Sequence, residues 1–101
     1  MYKLFGWLFV FVTTVSLSAY TPYECGGNRV TASGEECVEG ITCASNMFPL
    51  YTRIIWNNNT YVVTDRMAPG YNRYVDIFME SHEKAIQFGR KEAEITVILP
   101  D

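Results

Sequence analysis

The feature that most constrains the fold is the apolar run at the N-terminus. After Lys3 the chain continues Leu-Phe-Gly-Trp-Leu-Phe-Val-Phe-Val over residues 4–12, and small residues follow at 16–19. A positive charge, an apolar stretch and then small residues are typical of a secretory signal peptide. The run is shorter than the ~20 apolar residues of a membrane-spanning helix. We therefore predict a signal peptide over residues 1–18, with cleavage after Ser18 or Ala19.

The remaining residues, 19–101, are predicted to form a single domain. Their number, 101 − 18 = 83, lies near the lower limit for a core that is stable without covalent cross-links. The whole chain carries a net charge of −3, and loss of Lys3 makes it −4. An acidic domain lacks the basic field that drives non-specific binding to nucleic acid. Any contact with RNA is therefore expected to be local.

Three cysteines, Cys25, Cys37 and Cys43, predict a disulfide, because secreted proteins meet an oxidising environment. A helix over residues 33–41 would place Cys37 and Cys43 about 9 Å apart along its axis, too far for a direct bond. Cys25 is therefore expected to pair with one of these two. The odd count leaves one thiol free or paired between chains. A zinc site would need a fourth ligand, and His82 is distant in sequence, so no metal or cofactor is expected.

The secondary structure is predicted to be mixed. Ser33 and Glu36 have the spacing of a capping box, which favours a short helix over residues 33–41. The later chain is rich in β-branched and aromatic residues, and Asn57-Asn58-Asn59 predicts a hairpin turn. Strands are expected at 53–56, 60–64, 73–78, 85–88 and 94–99, with a polar connection at 80–84. We expect an α+β fold, in which one short helix packs on a twisted antiparallel sheet of about four or five strands.

Few residues predict chemistry when taken alone. Asn58-Asn59-Thr60 is an N-glycosylation sequon at the predicted turn, so Asn58 is a glycosylation candidate. The alternative is an unused sequon, because asparagine is also favoured in turns. His82 is interpreted as a surface residue, and no paired-carboxylate signature is recognised.

Four short motifs follow one another along the chain, and their order is compared with that of known families. They are Tyr23-Glu24-Cys25-Gly26-Gly27-Asn28, Met47-Phe48-Pro49-Leu50, Ala68-Pro69-Gly70-Tyr71-Asn72-Arg73 and Glu94-Ile95-Thr96-Val97. This order resembles the small secreted fungal guanyl-specific ribonucleases and the ribonuclease-like secreted effectors of plant-pathogenic fungi. The resemblance covers roughly residues 23–29 and 47–98, and it implies a microbial ribonuclease-like fold.

The resemblance also implies that the catalytic groups are lost. Met47 stands where the enzymes carry a glutamate general base, and Val97 stands where they carry a histidine general acid. Neither side chain transfers a proton, so we predict an inactive ribonuclease-like effector that binds host RNA or protein. Two alternatives stay open. One is an active secreted enzyme with a relocated site, for example at His82 and a glutamate, and the other is an unrelated disulfide-stapled domain.

Of the functional side chains that the resemblance implies, only the arginine is kept, as Arg73. The resemblance implies that it contacts phosphate, and Tyr51 or Tyr71 would then stack on bases. The alternative is an ion pair between Arg73 and an acidic residue. The expected protein is an extracellular monomer. Delivery into host cells and an intermolecular disulfide are alternatives that stay open. No stable membrane association is expected after cleavage.

Overall fold

The described residues, 9–22 and 29–100, form a closed six-stranded β-barrel in a computed structural model of the chain. Its strands run in the spatial order β1-β5-β2-β4-β3-β6, and β6 pairs with β1 to close it. Strands β1 and β5 are parallel, as are β2 and β4, and the other four pairs are antiparallel. The elements are β1 Val10–Tyr20, β2 Thr42–Ser45, β3 Arg53–Trp56, β4 Asn59–Asp65, β5 Tyr74–Phe78, α1 His82–Phe88 and β6 Lys91–Ile98.

The predicted α+β fold is therefore wrong. The sheet closes into a barrel with two parallel strand pairs, and no residue of helix α1 is buried. The helix predicted at 33–41 does not form, because Gly34 and Gly40 have φ of 91° and 86°. Positive φ is incompatible with a right-handed helix. The segment instead makes turns and an isolated bridge between Val30 and Glu36.

Helix α1 replaces the strand predicted at 85–88. Ser81 begins it, because its side chain accepts a hydrogen bond from the backbone N–H of Lys84. Gly89 ends it at φ 65°, and the Gly89 N–H donates to the carbonyl of Ala85. A serine cap and a terminal glycine are sequence signals for a helix. They lie at the two ends of the segment that contains the predicted strand.

The β3–β4 hairpin is confirmed. Asn57 and Asn58 form its two-residue turn at φ 53° and 64°, which suits the twist of the two strands. The strands predicted at 53–56, 60–64 and 73–78 correspond to β3, β4 and β5. The strand predicted at 94–99 is the second half of β6.

The main core fills the barrel interior. Alternate residues of the strands point inward, as expected for a sheet with one buried face. The inward side chains that are at most 2 % exposed include Val15, Leu17, Ile54, Val63, Val75, Ile77, Ile95 and Val97. A smaller cluster of Tyr20, Cys37, Ala44 and Phe78 lies apart from this core.

Strand β1 coincides with much of the predicted signal peptide. Val15 and Leu17 are 2 % and 0 % exposed, and β1 pairs with both β5 and β6. A chain cleaved after Ser18 would lack these two core side chains and would leave two strand edges unpaired. Cleavage at that position stays a prediction about processing. No helix among residues 9–22 and 29–100 is long and apolar enough to cross a membrane.

Candidate active site between two aspartates

A β-bulge brings two aspartates into one row across the barrel wall. The pairing of β2 with β4 joins Cys43 to Val63 but Ala44 to Asp65, so Thr64 is the extra residue. Ala44 also pairs with Asp76 on its other side. Neighbouring strands are about 4.8 Å apart, so the Cα atoms of the two aspartates are about 10 Å apart. Bulges often re-aim side chains at functional sites.

The row continues into β1, where Ser18 pairs with Asp76. The side chains of this row line a solvent-open groove of about 500 Å³. Ala44 lies between the aspartates and is 3 % exposed, because it packs in the smaller cluster with Tyr20 and Phe78. Tyr20, the loop at 66–71 and Arg90 complete the walls of this aspartate groove.

Asp65 is held rigidly by three donors. The Tyr20 hydroxyl donates to Oδ2 at 3.0 Å, and the backbone N–H groups of Ala32 and Arg66 donate to Oδ1 at 2.9 Å each. A carboxylate offers about four acceptor positions, so most of those on Asp65 are occupied. The two backbone donors are fixed in direction, so they hold this carboxylate in one orientation.

Asp76 has a different environment. Its half-buried carboxylate accepts a hydrogen bond from the Ser18 hydroxyl, a group that can rotate and either donate or accept. Val75 and Ile77 on either side of it point into the core. The Cys43 thiol is close by, and its pKa is raised, chiefly by burial and also by the negative charge of Asp76.

The loop that forms one wall of the groove is anchored by two side chains. Arg66 Nη1 donates to the carbonyl oxygens of Ser45 at 2.6 Å and Phe48 at 2.8 Å. The Asn46 side chain donates to the carbonyl of Ala68 and accepts from the N–H of Met67. These bonds tie the loop to the segment that follows β2, so the wall is preformed.

One exposed aromatic ring, that of Tyr71, lines the aspartate groove. Tyr71 is 40 % exposed, and its ring meets that of Tyr74 edge-on at a centroid distance of 5.1 Å. The Arg90 guanidinium lies 5.0 Å from the centroid of the Tyr74 ring. The exposed Tyr71 ring is therefore supported from behind and is available to a ligand in the groove.

The structure does not bring the predicted RNA-binding residues together. Tyr71 lines the aspartate groove, whereas Tyr51 lines a separate groove. Arg73 is exposed beside a third groove, and its Nη2 donates to the backbone carbonyl of Thr14 at 2.9 Å. A joint RNA site made of these three residues therefore has no support from their positions.

The positions aligned with ribonuclease catalytic groups belong to the core. Val97 is fully buried, and Met47 packs against the same cluster. His82 is exposed at the start of α1, away from the aspartate row. Asn58 is exposed at its turn, and its glycosylation stays a prediction.

The structure describes two of the three cysteines in the predicted disulfide scheme. Cys43 is fully buried and forms no disulfide within residues 9–22 and 29–100, and Cys37 is buried in the smaller cluster. Cys25 lies outside the described residues, so its predicted disulfide with Cys37 or Cys43 stays a prediction.

Sequence reasoning missed Asp65 and Asp76. They lie 11 residues apart on strands that are not neighbours, and only the bulge and the pairing with Ala44 align them. One sequence signal could have indicated Asp76. It lies between Val75 and Ile77, two buried apolar residues, so its carboxylate lies next to the core. In the part of the chain that the structure describes, no three His, Cys, Asp or Glu side chains converge to hold a metal ion.

Comparison with other proteins does not assign the site. No protein-family model matches the chain, and no curated protein sequence is significantly similar to it.

Proposed function

We propose that this protein is an enzyme that cleaves glycosidic bonds with Asp76 and Asp65. The observation that carries the proposal is the row Asp65–Ala44–Asp76, in which two carboxylates stand on either side of one strand and line the same groove. Glycoside cleavage commonly uses two carboxyl groups on either side of the scissile bond. An aspartic-protease dyad instead shares one proton between carboxyl groups that are about 3 Å apart. Here a whole strand separates the two aspartates, which favours the glycosidic reaction.

The different surroundings of Asp76 and Asp65 suit them to different roles in the reaction. Asp76 is assigned proton transfer: its carboxyl group protonates the glycosidic oxygen as the C–O bond breaks, and the resulting carboxylate takes a proton from the water that attacks the anomeric carbon. Its Ser18 partner can reorient to pair with either form of the carboxyl group. Asp65 is assigned the stabilisation of positive charge that develops on the sugar, because its donors fix it in one orientation. Two carboxylates with different surroundings commonly take different roles in one reaction.

The shape of the groove supports a saccharide. Its volume of about 500 Å³ lies within the usual range for small-molecule sites. Because the groove is open to solvent, a bound glycan chain can extend beyond it at either end. The exposed ring of Tyr71 offers an aromatic face for the apolar face of a sugar ring.

The prediction of a secreted effector that binds host RNA or protein is a separate hypothesis. Its fold basis is contradicted by the closed barrel, and its three proposed RNA-binding residues lie in different grooves. Secretion itself stays a proposal, and it is compatible with a substrate outside the cell.

The test is a cleavage assay on a panel of glycans. Purified protein is incubated with chitin, cellulose and xylan oligosaccharides and with bacterial cell-wall glycan, and new chain ends are detected by mass spectrometry. On the substrate that is cleaved, we expect Asp76→Asn to lower kcat by roughly 10²–10⁴-fold. The matched control is Glu94→Gln, an exposed carboxylate on β6 whose loss should leave the rate unchanged.

Thermal melting of each variant separates loss of catalysis from loss of folding. Absence of cleavage across the panel, or full activity in a folded Asp76→Asn variant, would contradict the proposal.

A further inference from the structure

The first half of strand β1 has an edge that no described strand covers. Strand β6 pairs with β1 over residues 10–17, whereas β5 pairs with it only over residues 16–20. No other strand within residues 9–22 and 29–100 is a neighbour of β1. The side of residues 10–14 that faces away from β6, here called the β1 edge, therefore has no partner strand in this part of the chain.

The hydrogen bonds around β1 show in which direction its backbone groups point. The Leu99 N–H donates to the carbonyl of Phe9 at 2.9 Å, so the polar groups of Phe9 face β6. Backbone groups alternate in direction along an antiparallel strand, so those of the even-numbered residues face the opposite side. The Ser16 N–H donates to the carbonyl of Arg73 on that side at 2.8 Å, in agreement with the alternation.

The β1 edge therefore presents the N–H and carbonyl groups of Val10 and Val12. Neither residue pairs with β5. The edge ends at Thr14, whose carbonyl accepts a hydrogen bond from Nη2 of Arg73 at 2.9 Å. An N–H and a carbonyl on alternate residues are the groups to which an added strand bonds.

The β1 edge lacks the features that protect free edges. Natural proteins block such edges with charged side chains, prolines or bulges. Residues 9–16 read Phe-Val-Phe-Val-Thr-Thr-Val-Ser, without a charge or a proline, and the register of β1 with β6 is continuous. The side chains of Val10 and Val12 on the outer face are 56 % and 57 % exposed. An unprotected apolar edge of this kind points to a partner strand that covers it.

The sequence at the β1 edge is complementary to itself. Val10-Phe11-Val12 reads the same in both directions. An antiparallel pair of copies with its two-fold axis at Phe11 places Val10 of each copy opposite Val12 of the other, and each such pair exchanges both of its backbone hydrogen bonds. Phe11, which is 39 % exposed, then faces the same residue of the second copy at a position where side chains approach most closely and aromatic pairs are favourable.

Two further features favour this pairing. An axis at Val12 would instead require the Thr14 carbonyl, which the guanidinium of Arg73 already occupies, so Arg73 favours the register centred on Phe11. The chain carries a net charge of −3, so two copies repel one another at long range. Pairing through the β1 edge brings together segments that carry no charge, so no like charges lie opposite one another there.

We propose that the β1 edge binds the β1 edge of a second copy, so that two barrels form a two-fold dimer joined by an antiparallel strand pair. The proposal concerns the chain that keeps β1. It does not depend on the glycosidic activity, because residues 10–14 do not line the aspartate groove.

The experiment is sedimentation equilibrium of the full chain over a range of concentrations, with hydrogen exchange of the backbone amides measured at both ends of the range. We expect a reversible dimer of twice the monomer mass of 11.6 kDa. The amides of Val10 and Val12 should exchange more slowly in the dimer, because they gain hydrogen bonds there. The amides of β4, which is not a neighbour of β1, should exchange at the same rate at both concentrations.

Two variants make the test specific. Val12→Pro removes an N–H that points to the edge and not to β6, so the barrel should stay folded. The two-fold axis doubles the loss of this hydrogen bond, so the dissociation constant should rise roughly tenfold or more. Val12→Lys places a charge on the edge and should have a similar effect. The matched control is Ile86→Lys, the same kind of change at a side chain that is 65 % exposed on α1, which should leave the dissociation constant unchanged.

Near-UV circular dichroism identifies the variants that are folded. A full chain that stays a monomer at concentrations up to about 1 mM, as expected from the sequence, would overturn the proposal. A dimer that persists unchanged in a folded Val12 variant, or that Ile86→Lys weakens as much, would also overturn it.

Discussion

At the scale of single residues, the pKa of the buried Cys43 thiol predicts how the free energy of unfolding depends on pH. Burial, reinforced by the charge of Asp76, raises the pKa of Cys43 above its ordinary value near 9.0. Below pH 9 the thiol is protonated in both the folded and the unfolded chain, so it adds no pH dependence. Above pH 9 the unfolded chain loses this proton and the folded protein keeps it. The free energy of unfolding should then fall by about 1.4 kcal/mol per pH unit.

Urea denaturation at pH 7, 9 and 10 measures this slope, and Cys43→Ala provides the background from other groups. The variant should be less stable at pH 7 because it leaves a small cavity, but its stability should decline less between pH 9 and pH 10. The same decline in both proteins would contradict the account.

At the scale of elements, strand β1 closes the barrel. We expect a chain that begins at Ala19 to fail to fold, because it lacks Val15 and Leu17 and exposes the edges of β6 and of part of β5 that β1 covers. A chain that begins at Phe9 keeps every described strand and should fold. Near-UV circular dichroism and binding of a hydrophobic dye compare the two. N-terminal sequencing of natively folded, secreted protein that begins at Ala19 or Tyr20 would contradict a barrel closed by β1.

The elements also show where sequence reasoning succeeds and fails. The β3–β4 hairpin was predictable, because Asn57 and Asn58 tolerate the positive φ that its turn requires. Strand β1 was not, because its apolar start continues the run that is typical of a signal peptide. Its alternation is evident only from Val15 onward, and its partners lie more than 50 residues away.

At the scale of the whole molecule, barrel closure creates the site. Ser18, Asp76, Ala44 and Asp65 come from four strands, and two of the three pairings that align them are parallel. Parallel pairing leaves little local trace in a sequence, because the partners are joined by long connections. The sequence contains the two aspartates but does not predict that they lie in one row, because their alignment depends on a bulge and on the order of the strands.

The central claim is that a glycan is cleaved between Asp65 and Asp76. The most direct measurement is a crystal structure of the Asp76→Asn variant with an oligosaccharide that the native protein cleaves. We expect the glycan to lie in the aspartate groove, with the scissile glycosidic oxygen roughly 2.6–3.2 Å from the residue 76 side chain. A glycan bound elsewhere on the barrel, with water filling the space between the two side chains, would contradict the claim.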